Sequence, residues 1–477
     1  MTPPDSVGTP DNAGPVGPVA FSALLLLMVA APLMRGGNRN IALIVIEGCA
    51  LVFLAALVAS SRSPARPSLR GALVALLALA PAWLAAIHLL PLPPEVWAGI
   101  PGRADYAGLL ANAGIPTDRW RPVSLVPDAT TVSLLAGIPL VAAFGAGYLV
   151  HLRQLRLVMV VFVCLAFGEI GFGMLQLAGG VGSSLHFGND WGSSRVSGTF
   201  ANPNHFANYV GMALAAYVWL AWLKLMEQRR YPSRFAEEHL AGGRMLAVWG
   251  AGAVLMLVGI LMSRSRGAAL GLVPTALVAI ALVLTLGSGA QRSRRPWLVV
   301  GAVLAASIAL VGFDAVATRF DLERMAGDAP LRIVQAVTTM EGAAHFWPFG
   351  AGWGTYYEVY PRFQPPSLVG TADYAHQDYA QMLFEGGVFA VLLMTVFAWL
   401  ALTRAVELVR IALRERRLPR HAMAAALCGL GLLGFLLHSL VEFNMHIPAN
   451  AIAAALLAGA YLRPLPKQDR KEGPSDD

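Results

Sequence analysis

Long apolar stretches constrain this chain more than any other feature of its sequence. A helix needs roughly 20 apolar residues to cross a bilayer core that is about 30 Å thick. Stretches of that kind follow one another between residues 17 and 462. Their approximate limits are 17–34, 41–59, 71–90, 131–150, 157–178, 205–223, 245–262, 268–287, 297–313, 383–403, 422–440 and 449–462. We therefore expect an all-α polytopic membrane protein with about 12 transmembrane helices, or about 11 if a short stretch does not span.

The composition fits a membrane protein and excludes several soluble classes. Hydrophobic residues make up 56% of the 477 residues and charged residues only 13%, whereas a soluble domain has about 25% charged residues. These values exclude a large soluble globule, a disordered protein and, despite the net charge of +7, a nucleic-acid reader. The three cysteines lie in apolar runs, so we expect neither a disulfide framework nor a metal site from them.

The distribution of Lys and Arg predicts the orientation of the chain. About two thirds of the 35 basic residues fall on one side when the N-terminus is placed in the cytoplasm, as the positive-inside rule favours. The first span lacks a basic segment before it, so we interpret it as an uncleaved anchor. The predicted parts are a disordered cytoplasmic N-terminus at 1–16, one transmembrane domain at 17–462, outer loops at 91–130, 179–204 and 314–381, and a cytoplasmic tail at 463–477. A loop as long as 314–381 is usually functional, and the apolar spacing of Leu331 to Phe346 predicts a helix within it.

Two polar patches of the outer face carry arginines. Arg195 precedes Asn202-Pro203-Asn204, a typical helix start in which the Asn side chains either cap the helix or bind an anion or a sugar. Arg264 and Arg266 lie in a tight turn between two spans. Their side chains either reach lipid headgroups or bind a phosphate through the planar guanidinium fork.

Two further patches lie in and after the large loop. The first joins Arg332 to the glycine-rich run Phe349–Tyr357, which allows a tight backbone but lacks the context of a nucleotide-binding loop. The second places Tyr374, His376, Asp378 and Tyr379 at the start of a span, with Glu385 further along it. A histidine there is either structural or a proton acceptor, and we weigh the two interpretations about evenly.

Ionisable residues also lie within the spans and near the last outer turn. Groups such as these are functional candidates by default, although we favour hydrogen bonding between helices for most of them. They are Glu47, His88, Glu169 and His438, with Glu442 and His446 placed to line the same outer cavity as His376.

These motifs together resemble the O-antigen ligase and O-antigen polymerase superfamily. In chain order they are RVSGTFANPNHFANY, SRSRGAAL, the stretch from Arg332 to PFGAGWGTYY, AHQDYAQMLFEGGVFA and HSLVEFNMHIPANA. Their joint order, with the hydropathy profile, carries the resemblance from about Leu155 to the last span. It implies a bacterial inner-membrane glycosyltransferase with a periplasmic active site. Such an enzyme transfers a glycan from undecaprenyl diphosphate to an acceptor hydroxyl, on lipid A–core in ligases or on another lipid-linked repeat unit in polymerases.

The resemblance also implies roles for individual residues. His376 would be the catalytic residue, and Arg195, Arg266 and Arg332 would bind the diphosphate, with Arg264 as a less certain fourth. The family usually has Asn after the histidine; here Gln377 keeps an amide but leaves the acceptor geometry open. The residues that we predict to bind the donor or acceptor glycan are Asn202, Asn204, Tyr374, Gln377 and Asp378.

The predicted mechanism is a single displacement that inverts the anomeric centre. His376 would take the proton of the acceptor hydroxyl, and arginines would neutralise the leaving diphosphate. We expect no metal and no cofactor. The partners are the lipid-linked donor, a glycan or lipid A–core acceptor and membrane lipid, and the pathway is lipopolysaccharide or exopolysaccharide synthesis.

Other assignments stay open at this point. Ligase and polymerase share the motifs. A flippase for lipid-linked oligosaccharides would show two similar halves and midplane polar sites, which this sequence does not display. A protein O-oligosaccharyltransferase is disfavoured because the chain lacks the long C-terminal extension common in that group.

Overall fold

The protein is helical almost throughout the part that the computed structural model describes, residues 16–37, 39–60, 68–187, 194–230, 236–287, 295–311 and 322–466. The predictions for 1–15, 188–193, 314–321 and 467–477 lie outside these residues. The helices are α1 (Pro18–Leu33), α2 (Asn40–Ser60), α3 (Leu69–Ala78), α4 (Ala80–His88), α5 (Pro94–Ala98), α6 (Arg103–Asn112), α7 (Pro127–Ala136), α8 (Ile138–Leu149), α9 (Leu152–Gly179), α10 (Pro203–Arg230), α11 (Ala236–Met262), α12 (Arg266–Leu286), α13 (Arg295–Val311), α14 (Leu322–His345), α15 (Tyr356–Val359), α16 (Asp378–Glu415), α17 (Arg420–His438) and α18 (Pro448–Leu462). Among the same residues, strands occur only as the antiparallel pair β1 (Pro91–Leu92) and β2 (Arg121–Pro122).

Several helices are long and apolar enough to cross a membrane, which confirms the all-α polytopic class. Within the described ranges, 7 spans pass this test: α2, α7 with α8, α9, α10 up to Glu227, α12, α16 and α17. The pair α3 and α4, bent by 65°, is an eighth candidate. Shorter apolar helices lie at Pro18–Leu33, Ala247–Met262, Val300–Ala309 and Pro448–Leu462. A count of about 12 spans stays a prediction.

Prolines explain where two of the expected spans are interrupted, although α7 and α8 together still pass as one span and only the α3–α4 pair is bent by 65°. The stretch 71–90 divides at Leu79, before Pro81, and 131–150 divides at Gly137, before Pro139. A proline lacks the N–H that would continue the helical ladder and its ring clashes with the preceding turn. The two breaks face one another, since a Cβ on Gly137 would collide with Pro81.

Helix α10 lies in the centre of the bundle. Buried residues make up 72% of an apolar 18-residue stretch of α10. The helix packs against α9, α11, α12 and α17. Small residues allow α8 and α18 to pack closely against each other. A Cβ on Gly147 or Gly459 would collide with the backbone of the facing helix, so only glycine fits these positions.

The described parts of the loops predicted at 91–130 and 314–381 form one layer at one end of the bundle, which we call the outer layer. Its core includes Phe346, Tyr356, Tyr360 and Phe384, with Tyr106 of the first loop packed against it. Arg103 joins the loops, because its buried guanidinium donates to the carbonyl oxygens of Val123 (2.6 Å) and Gly350 (2.7 Å). The predicted helix of the large loop is confirmed as α14, which begins earlier than Leu331 and ends at His345. This layer and the helix ends beneath it position the candidate site.

Candidate functional site

A buried carboxylate orients the histidine that the sequence singled out. His376 lies just before α16, and Glu442 lies in the connection between α17 and α18. The Nδ1 atom of His376 is 2.9 Å from Oε1 of Glu442. The Glu442 side chain is only 1% exposed, whereas that of His376 is 33% exposed. The imidazole therefore has one nitrogen fixed inside the protein while the ring stays accessible.

Glu442 gathers several other polar groups at the same place. The Nη2 atom of Arg332 lies 3.6 Å from its Oε2, and the Asn204 amide donates a hydrogen bond to the same oxygen. Arg332 also donates to the carbonyl oxygen of Val441 (2.9 Å). Burial alone would raise the pKa of Glu442, but the hydrogen bond from His376, together with the nearby Arg332 charge, holds that pKa well below its usual range. Glu442 is thus ionised at neutral pH.

The backbone at His376 adopts a conformation that is uncommon for a residue other than glycine. His376 has φ +52°, in the left-handed region that few non-glycine residues adopt. Its ring packs edge-on against Phe443 at a centroid distance of 4.8 Å, and Tyr374 stacks on the same Phe443 at 4.5 Å. Such strain persists only where the surroundings over-determine it, and it is common at functional sites.

A second histidine–carboxylate pair joins the same two segments with the residue types exchanged. Asp378 Oδ1 lies 2.9 Å from Nδ1 of His446, and its Oδ2 accepts the N–H of Met445. On the far side of the His446 ring, Gln381 lies 3.0 Å from Nε2 and donates to Glu385. The start of α16 and the α17–α18 connection are therefore held together at two points.

A cavity of about 330 Å³ opens beside His376. Among its lining residues are the predicted glycan-binding residues Asn202 and Tyr374, and also Arg35. The sequence motifs did not identify Arg35. The signal that would have found it is a basic residue on the outer side directly after the first span, where the positive-inside rule disfavours one.

The remaining predicted arginines, Arg195, Arg264 and Arg266, lie at the same end of the bundle as the His376–Glu442 pair, where Ser265 of their turn lies 3.4 Å from His438 at the end of α17. The loop that carries Arg195 is held to the end of α11 by the hydrogen bond from Val196 N to Met262 O (3.3 Å). Arg264 is exposed in the next turn, and Arg266 is the first residue of α12. Arg332 is in direct contact with the His376–Glu442 pair through its approach to Glu442.

The structure confirms the capping role for Asn202 and gives the Asn204 side chain a contact within the protein, while their binding of a glycan stays a prediction. Asn202 caps α10, because its Oδ1 accepts the N–H of Asn204 at 2.9 Å. The Asn204 side chain turns the other way and binds Glu442. Gln377 is half-buried immediately before α16, so its amide is adjacent to the pair that His376 forms.

The backbone of the glycine-rich run after α14 is held by Glu385. The backbone N–H groups of Gly354 and Tyr356 donate to its carboxylate at 3.0 and 3.2 Å. A Cβ on Gly387, which has φ +52°, would collide with the carbonyl of Pro348. These glycines are needed where the loop meets the kinked helix α16.

Two of the ionisable groups within the predicted spans, His88 and Glu169, bind backbone or neighbouring side chains. His88 contacts the carbonyl oxygens of Leu84 (2.7 Å) and Phe349 (3.0 Å). Glu169 accepts hydrogen bonds from the N–H and the hydroxyl of Thr199, which fixes the loop after Arg195.

The geometry specifies which nitrogen of His376 can act as a base. An ionised carboxylate accepts hydrogen bonds and donates none, so Nδ1 of His376 carries the proton toward Glu442. The other nitrogen, Nε2, then has the free lone pair. An exposed imidazole with this tautomer can take a proton from a hydroxyl group, and the carboxylate stabilises the imidazolium that forms.

Comparison with known proteins identifies one matching family. Residues 251–395 match the O-antigen ligase family model, Wzy_C. The matched segment includes Arg264, Arg266, Arg332 and His376. A search of curated proteins gave no match. The resemblance predicted from the sequence is thus confirmed for this segment.

Proposed function

Because residues 251–395 carry the O-antigen ligase domain, we propose that this protein is a membrane glycosyltransferase that moves a glycan from undecaprenyl diphosphate to a hydroxyl group of an acceptor sugar. The observation that carries the proposal is the His376–Glu442 pair, whose accessible imidazole borders a cavity of about 330 Å³.

In the proposed step, the acceptor hydroxyl attacks the anomeric carbon of the donor as Nε2 of His376 removes its proton. The new carbon–oxygen bond forms while the bond from that carbon to the diphosphate oxygen breaks. The diphosphate leaves with the bonding electron pair, and a single displacement inverts the anomeric centre. General base catalysis of this kind contributes about 10²–10⁴-fold.

Arginines at this end of the bundle are suited to bind the diphosphate. Arg35 lines the cavity with His376, and Arg332 lies beside Glu442. Arg195 and Arg266, with Arg264, complete the proposed set. A guanidinium donates two parallel hydrogen bonds to phosphate oxygens, and its charge offsets the negative charge of the leaving group without a metal.

The proposed acceptor site is the part of the cavity nearest the base. Asn202 and Tyr374 line it, and Gln377 follows His376 directly in the chain. Asn204 and Asp378 were also predicted to bind glycan, but their side chains bind Glu442 and His446, and Asp378 is fully buried. The acceptor is lipid A–core oligosaccharide if the enzyme is a ligase, or a second lipid-linked repeat unit if it is a polymerase. We place the protein in the bacterial inner membrane with this site facing the periplasm.

The test is transfer by the purified protein from a synthetic undecaprenyl-diphosphate glycan to an acceptor glycolipid. We expect activity in excess EDTA and no transfer by His376→Ala. Arg35→Ala should use the donor about 10–100-fold less well, because it loses a hydrogen bond to a charged group. Arg39→Ala, an exposed neighbour on the same turn, is the control and should retain donor use.

Three results would contradict the proposal or part of it. Full turnover by His376→Ala would exclude the assigned base. Complete loss of activity in EDTA would exclude a metal-independent reaction. Movement of the intact donor across a vesicle membrane, without transfer, would instead support the flippase alternative.

A further inference from the structure

His438 is a buried histidine that the proposed reaction does not use. It is the last residue of α17 and is only 1% exposed. Its Nδ1 atom has no hydrogen-bond partner among the described residues. A buried polar nitrogen without a partner costs free energy that an apolar side chain would not cost. A histidine at this position therefore needs a reason beyond packing.

The other ring nitrogen of His438 contacts the turn that carries two of the predicted arginines. Nε2 lies 3.4 Å from Oγ of Ser265, which is itself buried. Ser265 separates Arg264 from Arg266 in the chain, and its Oγ also accepts the N–H of Ala268, which caps α12. The imidazole therefore contacts the residue that fixes where α12 begins.

The same turn packs closely against the His438 ring. A Cβ on Gly267 would lie 2.7 Å from Cδ2 and 3.0 Å from Nε2 of His438. One of the two partners would have to move, so only glycine allows this approach. The loop that carries Arg195 is attached to the same turn through the carbonyl oxygen of Met262. The position of the ring thus affects the place of all three arginines.

The backbone of His438 supports the segment that carries the carboxylate of the catalytic pair. The N–H of Val441 donates to the carbonyl oxygen of His438 (3.1 Å). The carbonyl oxygen of Val441 in turn accepts a hydrogen bond from Arg332 (2.9 Å), and the next residue, Glu442, lies 2.9 Å from His376. His438 is therefore joined to the arginine turn by its side chain and to the pair by its backbone.

From these contacts we propose that His438 is a positioning residue, whose imidazole sets the separation between the turn with Arg264 and Arg266 and the His376–Glu442 pair. The inference rests on the proposed function. In the donor, one bond joins the diphosphate oxygen to the carbon that is attacked, so the groups that bind the diphosphate and the base must keep a fixed separation. His438 does not line the cavity beside His376, so it acts through its neighbours.

Two amide side chains at position 438 separate reach from polarity. Gln places its amide nitrogen near the position of Nε2 and still meets Ser265, whereas Asn reaches only as far as Nδ1. We expect His438→Asn to raise Kd for undecaprenyl diphosphate about tenfold, the effect of weakening a hydrogen bond to a charged group. His438→Gln should stay close to the wild type. Titration of the purified full-length protein with undecaprenyl diphosphate provides the measurement.

Gly267→Ala moves the turn away from the ring and leaves both polar groups in place. It should raise Kd in the same direction, and it repeats the test if His438→Asn does not fold. Leu433→Phe is the control, because Leu433 is exposed on the same helix α17, and it should leave Kd unchanged.

A double-mutant cycle tests the contact itself. If His438 acts through Ser265, the variant with both His438→Asn and Ser265→Ala should raise Kd by less than the product of the two single effects, because each change removes the same contact. The loss of the helix cap occurs in both Ser265→Ala proteins and cancels in the comparison. Independent effects that multiply would overturn the proposed route through Ser265.

The kinetic readouts separate positioning from a structural role and from a role in the base. A structural role would reduce the amount of folded protein without changing Kd. In His438→Asn, the KM for the acceptor and the pH dependence of kcat should match the wild type, since the His376–Glu442 pair is intact. An unchanged Kd in both His438→Asn and Gly267→Ala would overturn the proposal. A shifted pH dependence with an unchanged Kd would also overturn it and assign His438 to the base.

Binding and transfer together distinguish this inference from the proposed function. Weaker binding of undecaprenyl diphosphate by His438→Asn, in a protein whose wild type transfers no glycan, would support the positioning role and refute the glycosyltransferase. Glycan transfer by the wild type, with the same Kd in every variant, would leave the glycosyltransferase and overturn the positioning role.

Discussion

In the proposed reaction, His376 and Glu442 share the role of the general base. The imidazole would take the proton of the substrate, and the carboxylate fixes the tautomer through the 2.9 Å contact to Nδ1. Arg332 and Asn204 share the same carboxylate, so it also organises groups from two other elements. A single buried residue therefore determines the geometry of the candidate site.

Replacing Glu442 by Gln tests this division. Gln keeps the size but loses the charge that stabilises the imidazolium, so we expect the rate of the chemical step to fall by about 10²–10⁴-fold. Donor binding should change much less. Single-turnover transfer measures the rate of the chemical step, and donor titration measures donor binding. Glu341→Gln, at an exposed site on α14, is the control. A Glu442→Gln protein with the wild-type rate would contradict the role.

At the residue scale, the sequence predicted the histidine but not its full surroundings. The motif around His376 is continuous, so it can be recognised from neighbouring residues. Glu442 was placed near the same cavity, but its pairing with His376 joins segments far apart in the chain. Arg35 has no motif around it and reaches the cavity only because α1 and α2 bring their connection to this end.

At the scale of elements, the Asp378–His446 pair joins the start of α16 to the α17–α18 connection. Burial would lower the pKa of His446, but the hydrogen bond and charge of Asp378 outweigh burial, and the net shift is upward. A histidine with a raised pKa in the folded state adds stability below its unfolded pKa, near 6.5, and loses this contribution as pH rises through the folded value.

The prediction concerns thermal unfolding at different pH values. The unfolding temperature of the wild type should exceed that of His446→Gln at pH 6, and the difference should shrink as pH rises above 6.5. Gln is neutral throughout, so it lacks this pH dependence. Scans of both proteins in the same detergent provide the measurement, and a difference that is constant or grows with pH would refute it.

Helices were predicted more reliably than their ends. Apolar periodicity located α14, but its start before Leu331 has no apolar stripe to mark it. Similarly, α16 was expected to end at 403 yet continues to Glu415. There Arg404 is buried, and it bonds to the carbonyl oxygen of Leu462 (2.9 Å). Such a tertiary contact is not visible in a hydropathy profile.

At the scale of the whole molecule, the outer layer depends on the link between its two loops. Arg103 is fully buried, and burial lowers its pKa to about 10. It remains charged at neutral pH and satisfies carbonyl oxygens from both loops. The sequence predicted the loops 91–130 and 314–381, but nothing in it indicated that one arginine would join them.

Replacing Arg103 by Met should destabilise the outer layer by roughly 2–5 kcal/mol, because buried carbonyl oxygens lose their donors. Arg119→Met, at an exposed position of the same loop, should have little effect. Limited proteolysis within 91–130 measures the opening of the layer and separates it from unfolding of the helical bundle. Equal resistance of Arg103→Met and wild type would show that the link is dispensable.

The pairing of His376 with Glu442 has a consequence for biosynthesis. His376 precedes α16 and Glu442 follows α17, so the ribosome makes the histidine before the carboxylate that orients it. The pair can therefore form only after α17 has been synthesised and its end lies beside the start of α16.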